Sequence, residues 1–560
     1  MSLQNSLGPI VAAPLDDLSD KQDATFASTS QNATLDVNDA RLLGLNDHSS
    51  CPLTCPPPSP IAAPSKLPSC NNLEPVSRQP SHTPVVTSPR RPTSLTSDLN
   101  VILDQTGKVF AIISHGGKLH VLAVGDRILN NVIRELALST GTTLRRSDLA
   151  DINEGLKARA ESADVVTNVW RRIASVPDGI EIDIGDIAHT IFKITANKVT
   201  NVTHESNTFF YRPQHARPMA IPSDVGNLNS LKKYVNLDWM QFSLFRGWLS
   251  YTLAHPKIPS SKYVILAILG GQGSGKSQLA KIVKSLIDPS VIGAQGLPTN
   301  IKELAIAAEH SHVLCYDNLR HLSHNIADAL CQAATGSSIS SRKLYSDSEQ
   351  HVSQLHVALV LNGIHAFIDQ PDFAQRCLPL NLEPFVPGNR KSESEMLQAL
   401  AVDLPGIQRG LFDLIAKILL HLPRAKVTNP ERMIDFSLWL AAMETADGIQ
   451  DGAYQTEYSN ALNQGQRDAL LDNTFAAAIL EFGEAQDDDE WFGTPAKLLH
   501  QLNSIAGIFT RRAKEWPDNP IALSKRLQSL QAGLLTQGIR VEFSRGKERM
   551  ITIEKIRGPK

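Results

Sequence analysis

Residues 263–277 read YVILAILGGQGSGKS, and this stretch decides the fold class of the chain. Its first seven residues are an apolar, β-rich run that predicts a buried strand. The last eight match the pattern G-x-x-x-x-G-K-[ST], and the helix-compatible run 278–287 follows them directly. A strand before the pattern and a helix after it are the context that a phosphate-binding loop requires. We therefore predict an α/β domain of the P-loop NTPase class.

The predicted loop would hold ATP and Mg²⁺. Its glycines let backbone N–H groups close around phosphate oxygens, and the N-terminus of the next helix adds partial positive charge. Lys276 is expected to reach the β and γ phosphates, and the Ser277 hydroxyl is expected to bind the metal. The predicted nucleotide-binding residues are Gly270, Gly271, Gln272, Gly273, Ser274, Gly275, Lys276, Ser277 and Gln278. The alternative is a glycine-rich turn that binds nothing.

Two further predicted strands end in polar side chains. Residues 312–317 (HVLCYD) predict a strand ending at Asp317, as in a Walker B element whose carboxylate binds the waters of the metal. The alternative for Asp317 is a carboxylate that only caps the strand. Asn318 stands where many hydrolytic motors place a second acid, so the general base is not identified. The run 355–361 ends at Asn362, whose amide would sense the γ-phosphate and orient the attacking water.

Arg376 opens the last apolar run of this region, 376–382 (RCLPLNL). It is a candidate arginine finger, which would reach the nucleotide of a neighbouring subunit. The alternative is a structural salt bridge. The predicted catalytic residues are therefore Lys276, Asp317, Asn362 and Arg376, and the predicted metal-binding residues are Ser277 and Asp317.

The order of these motifs resembles the ATPase module of phage and plasmid primase-helicase proteins, which is related to superfamily 3 helicases and the wider AAA+ group. The motifs are GGQGSGKS (270–277), VLCYDN (313–318), TGSSISSRKLY (335–345), VALVLNG (357–363) and DFAQR (372–376). In that family, the TG…R-x-L-Y element leads into a hairpin that grips DNA in a central pore. The resemblance therefore implies DNA contacts by Arg342 and Lys343. The alternative is an ordinary solvated hairpin.

The resemblance covers about residues 98–556 and is looser outside these motifs. The C-terminal end resembles the winged-helix terminus of a bacterial and prophage group of ATP-binding proteins. Three features depart from the family pattern: Asn318 replaces a second acid, Gln278 stands where Thr is common, and no primase active site is recognisable. Any priming would therefore come from a separate primase.

The residues at the C-terminal end also predict a winged helix by themselves. Thr494 can cap one helix, a second helix is expected over 519–537, and two alternating runs after Gly538 predict a hairpin. Residues 505–560 hold 12 Lys or Arg against 5 Asp or Glu, a net +7 that the whole-chain value of -3 hides. The predicted phosphate contacts in this module are Lys525, Arg526, Arg545, Lys547 and Arg549. The alternatives are a solvated basic surface and a protein-docking wing.

At 560 residues the chain is too long for one hydrophobic core, so several domains are expected. The predicted segments are a disordered Pro/Ser-rich tail (1–97), an α+β domain (98–224), a helical bridge (225–260), the P-loop core (261–388), a helical region (389–485) and the winged-helix module (486–560). No apolar run reaches the roughly 18 residues of a membrane span. Six cysteines are no disulfide framework, and Cys51, Cys55 and Cys70 lack a convincing fourth ligand for zinc. We expect a cytoplasmic protein.

Three functions fit these predictions. The first is a DNA helicase or translocase of phage, prophage or plasmid replication, which hydrolyses ATP at the subunit interfaces of a homo-oligomeric ring, with a hexamer as one candidate. The ring is implied by the resemblance. The second is a DNA-binding ATP switch, an initiator or sensor without unwinding activity, which the missing second acid favours. The third is a metabolic P-loop kinase, against which the basic C-terminal module and the TG…R-x-L-Y element argue.

Overall fold

The computed structural model describes residues 99–556, apart from 116–117, 164, 321, 343–349, 364–366, 368–369, 385–391, 429, 487–489 and 547. The predicted tail 1–97, with its three cysteines, therefore lies outside the described residues, as do Lys343 and Lys547. Arg342 and Arg545 are described by their backbone alone.

The described chain begins with a three-stranded antiparallel sheet covered by two helices. The strands are β1 (Asn100–Leu103), β2 (Val109–His115) and β3 (Lys118–Ala123), and the helices are α1 (Arg127–Ser139) and α2 (Arg146–Ser162). Apolar residues recur every three or four positions on both helices, which is why each buries one stripe. The buried stripes consist of Leu129, Ile133, Leu149, Ile152 and Leu156, packed against Ala111 of β2.

A second antiparallel sheet follows, with β5 (Ile173–Val176), β6 (Gly179–Asp183), β7 (Ile191–Thr195) and β8 (Lys198–Asn201) in sequence order. Two short strands, β4 (Val169–Trp170) and β9 (Phe209–Phe210), pair in parallel beside it. Strands and helices are thus mixed in this part of the chain, as the predicted α+β character requires.

The link to the next module is a 3-10 helix (Leu228–Lys233) followed by helix α3 (Trp239–Ala254). The Asp238 carboxylate caps α3 by accepting the Gln241 N–H, at 2.8 Å. The helical spacing of Trp239, Phe242, Phe245 and Trp248 predicts that these four aromatic side chains are core. Phe242, Phe245 and Trp248 are buried, but Trp239, the first residue of the helix, is 49% exposed. The prediction is therefore wrong for Trp239.

The middle of the chain is a parallel sheet between two layers of helices. Its elements are β10 (Ile265–Gly270), α4 (Lys276–Ile287), α5 (Ile301–His310), β11 (Val313–Leu319), α6 (His324–Thr335), β12 (Ser337–Arg342), β13 (Gln350–Leu355), β14 (Ala358–Gly363), α7 (Pro371–Ala374) and β15 (Cys377–Leu382). Four of the strands pair in parallel in the order β11-β14-β10-β15, while β12 and β13 form a separate antiparallel hairpin. The predicted α/β class with a parallel sheet is confirmed.

Side chains of β10 alternate between two apolar cores, one on each face of the sheet. Leu266 and Ile268 belong to the core shared with α3 and α4, whereas Ile265, Ala267 and Leu269 belong to the core shared with α5 and α6. A strand that is buried on both faces reads as a continuous apolar run, which explains residues 263–269.

The next region is helical, with α8 (Glu393–His421), α9 (Ile434–Asp447), α10 (Ala453–Asp472) and α11 (Thr474–Glu484). The first of these helices begins at Glu393 and contains Pro405. A neighbouring segment contacts this turn, because the Ser223 N–H donates to the Pro405 carbonyl and the Asn227 N–H to the Gly406 carbonyl.

The C-terminal module contains β16 (Glu490–Gly493), α12 (Pro495–Ile505), α13 (Ile508–Arg511), α14 (Pro520–Thr536), β17 (Ile539–Arg545) and β18 (Arg549–Lys555). Thr494 caps α12, as predicted, by accepting the Lys497 N–H. Strands β17 and β18 form the expected hairpin, and β16 adds a third antiparallel strand that the sequence did not indicate. None of the helices described by the structure is long and apolar enough to span a bilayer.

Candidate functional site

The turn between β10 and α4 is a tight backbone cradle. Gly270, Gly273 and Gly275 have φ angles of 145°, 77° and 91°, a region that L-residues rarely adopt. A Cβ atom on Gly270 would also lie 2.4 Å from the Leu382 carbonyl oxygen. The spacing of glycines in the loop is therefore required by its conformation. Gly275 ends the turn and α4 begins directly after it, so the N-terminus of α4 faces the cradle.

Lys276 lies across this cradle. Its Nζ donates to the carbonyl oxygens of Gly270 and Gly271, at 2.9 and 2.7 Å. Burial lowers the pKa of Lys276, and the nearby Asp317 carboxylate opposes this effect. Ser274 is fully buried and its hydroxyl donates to the Gly271 carbonyl, at 3.0 Å, which fixes the turn from inside.

The two residues that follow Lys276 in helix α4 offer polar atoms. Ser277 is exposed, so its hydroxyl is accessible. Gln278 lines a cavity beside the loop, and its Nε2 is buried without a hydrogen-bond partner among the described residues.

The polar residues near the carboxyl ends of β11 and β14 lie at the same edge of the sheet as the loop. Strand β14 lies between β10 and β11, and Asn362 pairs in register with Ile268, two residues before Gly270. Asp317, at the end of β11, is half-buried. The structure thus brings the loop, Asp317 and Asn362 to adjacent strand ends.

Asn318 and Asn362 form a contact that sequence reasoning missed. The Asn318 N–H donates to Asn362 Oδ1, at 3.0 Å. Asn362 is 1% exposed, and its Nδ2 is buried with no hydrogen-bond partner within the described part of the chain. The amide is therefore oriented through its oxygen, which leaves both N–H donors of Nδ2 available to a ligand.

The conformation of Asn318 gives a structural reason for its identity. Its φ is 61°, a left-handed value that Asn adopts more readily than most residues, and the β11–β14 register shifts between Tyr316 and Leu319. A glutamate would fit this backbone less well. Asn318, which stands where many hydrolytic motors have a second acid, thus donates its N–H to Asn362.

A cavity of about 680 Å³ adjoins the loop. Its walls come from the loop and α4, from the segment before α3, and from the first half of α8, with Tyr234, Asn236 and Asp403 among the lining residues. The Tyr234 hydroxyl and Lys233 Nζ both donate to Asp403 Oδ2, at 2.8 Å each. Sequence analysis missed these residues because they lie about 170 positions apart and match no motif.

The donor set fits ATP with Mg²⁺. The loop offers backbone N–H groups and a lysine to phosphates, and the buried Nδ2 of Asn362 lacks a partner among the described residues. Ser277 and Asp317 supply the hard oxygen atoms that Mg²⁺ prefers. The adjoining cavity is within the size range of small-molecule pockets. No group of three or more His, Cys, Asp or Glu side chains in the described ranges forms a separate metal site.

Arg376 lies at the opposite edge of the sheet. It directly precedes β15, whose Cys377 pairs with Ile265, while Leu382 pairs with Gly270. Along β15, five residue steps separate Cys377 from Leu382, about 17 Å at roughly 3.3 Å per residue. Arg376 Nε contacts Asp372 Oδ2 at 3.2 Å, and Asp372 also contacts Arg432. The structure therefore does not bring Arg376 to the loop of its own chain, and its role stays a prediction.

The predicted DNA-binding residues fall into two groups. Arg342 ends strand β12 of the β12–β13 hairpin, opposite Gln350. In the C-terminal module Lys525 and Arg549 are exposed, and the Arg549 guanidinium lies 5.6 Å from the Phe543 ring centroid. Arg526 is half-buried and donates to the Lys514 carbonyl, at 2.9 Å. Arg526 thus has a contact within its own module, whereas Lys525 and Arg549 present their charges to solvent.

Two family models match the chain. Residues 231–465 match the actinomycete integrative conjugative element replication protein, and residues 475–559 match the C-terminal domain of the same protein, AICE RepA. Together the two matches cover more than half of the 560 residues and include every predicted site residue. No curated protein matches the chain.

Similar solved structures include the A form apo structure of the NrS-1 C-terminal region, with 12% identity and a TM-score of 0.34. That match covers 83% of this chain and 98% of the other. A further apo structure of the same region has 11% identity and a TM-score of 0.33, and it covers 84% of this chain and all of the other.

Proposed function

Because the chain belongs to the replication proteins of actinomycete integrative conjugative elements, we propose that it is the ATP-dependent DNA helicase or translocase of that replication process. One observation carries the proposal: Lys276 on its glycine cradle, Asp317 and the unpartnered Nδ2 of Asn362 lie at adjacent ends of parallel strands. This arrangement suits the hydrolysis of a phosphoanhydride, because a lysine, the N-terminus of a helix and a buried N–H donor lie near the same edge of the sheet.

Each residue has a defined part in the proposed reaction. Lys276 moves from the Gly270 and Gly271 carbonyls to the β and γ phosphates and neutralises charge there. Ser277 and Asp317 would hold Mg²⁺, which would supply positive charge for the leaving ADP. Asn362 donates from Nδ2 to the γ-phosphate or to the attacking water, while Oδ1 stays on the Asn318 N–H. Water attacks the γ-phosphorus, the bond to ADP breaks, and the proton of the water leaves with phosphate or solvent.

The cavity beside the loop would receive the nucleoside. The Tyr234–Asp403 hydrogen bond fixes one wall, and Asn236 and the Gln278 amide provide polar groups for a base or sugar. Since Asp403 belongs to α8, nucleotide binding would contact both the sheet and the helical region.

A catalytic role for Arg376 would require a second subunit. Its position about 17 Å from the loop, at the other edge of the sheet, supports action in trans, whereas its contact with Asp372 supports the alternative of a structural salt bridge. We therefore propose a ring in which each subunit supplies Arg376 to its neighbour. In the same ring, Arg342 and Lys343 would contact DNA, and the C-terminal module would bind phosphates through Lys525 and Arg549.

A second candidate is a DNA-binding ATP switch that does not unwind. The favouring observation is Asn318, which puts an exposed amide in a left-handed backbone conformation where hydrolytic motors commonly place a carboxylate. Without that general base, turnover would be slow and the ATP-bound state long-lived.

The decisive experiment measures ATP turnover with and without single-stranded DNA, followed by strand displacement. The variants are Lys276→Ala, Arg342→Ala and the control Lys281→Ala, which removes an exposed lysine about one and a half turns further along the same helix. We expect DNA to stimulate turnover, Lys276→Ala to abolish it, Arg342→Ala to lose only the stimulation, and Lys281→Ala to match wild type. Binding of ATP with negligible turnover on any DNA would replace the helicase by the switch.

A further inference from the structure

A second cavity lies between the N-terminal module, which comprises residues 99–224, and the parallel-sheet domain. It holds about 80 Å³, and a buried water needs only about 10–15 Å³ of such space, so several waters or one tetrahedral oxyanion fit. Its walls come from the β1–β2 turn, from Arg171 and Tyr211, from Lys257, from the end of α5, and from Gln354 of the β12–β13 hairpin.

The charges around this cavity are unbalanced. Lys108, Arg171 and Lys257 line it, against the two acids Asp104 and Glu309. Asp104 Oδ1 is already engaged by the Thr106 and Lys108 N–H groups, at 2.8 Å each, and by the Thr106 hydroxyl. Glu309 is paired with Lys108. Lys257 Nζ donates to the Ala308 and Ser311 carbonyls, so Arg171 is the lining cation with an unpartnered nitrogen among the described residues.

Arg171 is the most informative group. Its Nη1 is buried and has no hydrogen-bond partner among the described residues, although the guanidinium lies over the Tyr211 ring, at 4.7 Å from the centroid. Burial lowers the pKa of Arg171 to about 10. A buried guanidinium nitrogen without an acceptor costs free energy, and an oxyanion is the ligand that a guanidinium fork recognises best.

This cavity is separate from the nucleotide site. Lys257, Ala308 and His356 each precede a strand of the parallel sheet, so they lie at its amino edge. The loop after β10 lies at the carboxyl edge, about 17–20 Å away along the strands. His356 also lines the cavity and its Nε2 has no partner within the described ranges, which adds a second buried nitrogen to the same space.

We propose that this cavity binds a phosphate-sized oxyanion through Arg171 Nη1, with Lys257 and Lys108 adding positive charge around it, and that the bound anion ties the N-terminal module to the base of the β12–β13 hairpin. Two sources share this chemistry, free phosphate and a phosphodiester of bound DNA. The proposal is independent of ATP hydrolysis, because none of its residues lines the nucleotide cavity.

The test is a titration of the full chain with inorganic phosphate at constant ionic strength, read as thermal unfolding and by calorimetry. All proteins carry Lys276→Ala, which weakens phosphate binding at the loop equally in each. Arg171→Met removes the guanidinium at similar length, and Arg134→Met is the control on the exposed face of α1. We expect a saturable rise in Tm that Arg134→Met keeps and Arg171→Met loses, with affinity for phosphate reduced about tenfold or more.

The source of the anion is separated by a second titration, with a short single-stranded oligonucleotide. If saturating phosphate weakens oligonucleotide binding and Arg171→Met does the same, the occupant is a DNA phosphodiester; if neither does, it is free phosphate. Equal phosphate affinity in Arg171→Met and Arg134→Met overturns the proposal. Should Arg171→Met fail to fold, crystals of the unchanged chain soaked in tungstate decide, since no anomalous peak beside Arg171 also overturns it.

Discussion

Substitution of Asn362 should affect stability and ATP turnover differently, and this difference tests the role of its side chain. Asn362→Leu keeps the approximate size of the side chain and removes both polar atoms at a position that is 1% exposed. Only one of those atoms, Oδ1, has a partner, the Asn318 N–H at 3.0 Å. The other, Nδ2, is buried and has none among the described residues.

The expected change in stability follows from these two atoms. Removing an unpartnered buried donor recovers about 1–3 kcal/mol of desolvation, and losing one hydrogen bond costs about 1 kcal/mol. Asn318 is exposed, so water can replace the lost acceptor. The leucine variant should therefore be as stable as wild type or up to about 2 kcal/mol more stable. If Nδ2 serves the transition state, turnover should fall by about 10²–10³-fold, as for the loss of one oxyanion-hole donor.

The assay pairs urea unfolding with DNA-stimulated ATP turnover, and Asn362→Asp is the matched variant. Aspartate keeps the acceptor for the Asn318 N–H but replaces the donor by a second acceptor, so it should be as inactive as leucine while still binding ATP. A leucine variant that is destabilised by several kcal/mol, or an aspartate variant that turns over ATP normally, would show that Asn362 only braces the strand ends.

Four other outcomes follow from the structure. Gly270→Ala should lose at least about 2 kcal/mol of stability and its affinity for ATP, because the φ of Gly270 is 145° and a Cβ there would meet the Leu382 oxygen. A Cβ on Gly271 would meet nothing nearer than 3.9 Å, so Gly271→Ala should stay near wild type in urea unfolding and ATP binding. Burial lowers the pKa of His312 to about 3, below the unfolded value of about 6.5. The contribution of neutral His312 to stability is therefore complete above about pH 6.5 and is lost as the pH falls towards 3. His312→Gln should flatten the decline of the unfolding free energy between those pH values. Lys525→Ala and Arg549→Ala should each weaken DNA binding on any sequence and reduce the slope of log K against log salt by about 0.9, and unchanged slopes would favour a protein-docking wing. Lys276→Ala and Arg376→Ala should be inactive alone but regain part of the ATPase activity when mixed, which would not happen if Arg376 served only its ion pair with Asp372.

The sequence alone predicted the parts of the site that depend on local pattern. Residues 263–277 indicated a buried strand, a loop and a helix because an apolar run, three constrained glycines and a helix start are neighbours in the chain. Asp317 and Asn362 could be placed at the same sheet edge because both follow apolar runs, and parallel strands bring their carboxyl ends together.

The features that the sequence did not reveal depend on distant residues. The Asn318–Asn362 hydrogen bond needs a left-handed φ and a register shift, neither of which alters the residue pattern. The Tyr234–Asp403 wall joins segments on either side of the parallel-sheet domain. The sequence also does not reveal that Pro405 lies inside α8, because proline normally ends a helix, or that the Pro405 and Gly406 carbonyls accept from Ser223 and Asn227.

Helix α8 has a consequence beyond packing. Its 29 residues extend about 43 Å at roughly 1.5 Å per residue; Met396 and Asp403 line the cavity beside the loop, and the helix also contacts β7 and β8. At that far end the Ala416 carbonyl accepts the Asn197 N–H, at 2.8 Å, and Phe412 packs on Phe192. The same helix thus contacts both the cavity beside the loop and the β5–β8 sheet, so a displacement of α8 on filling that cavity would be transmitted to β7 and β8.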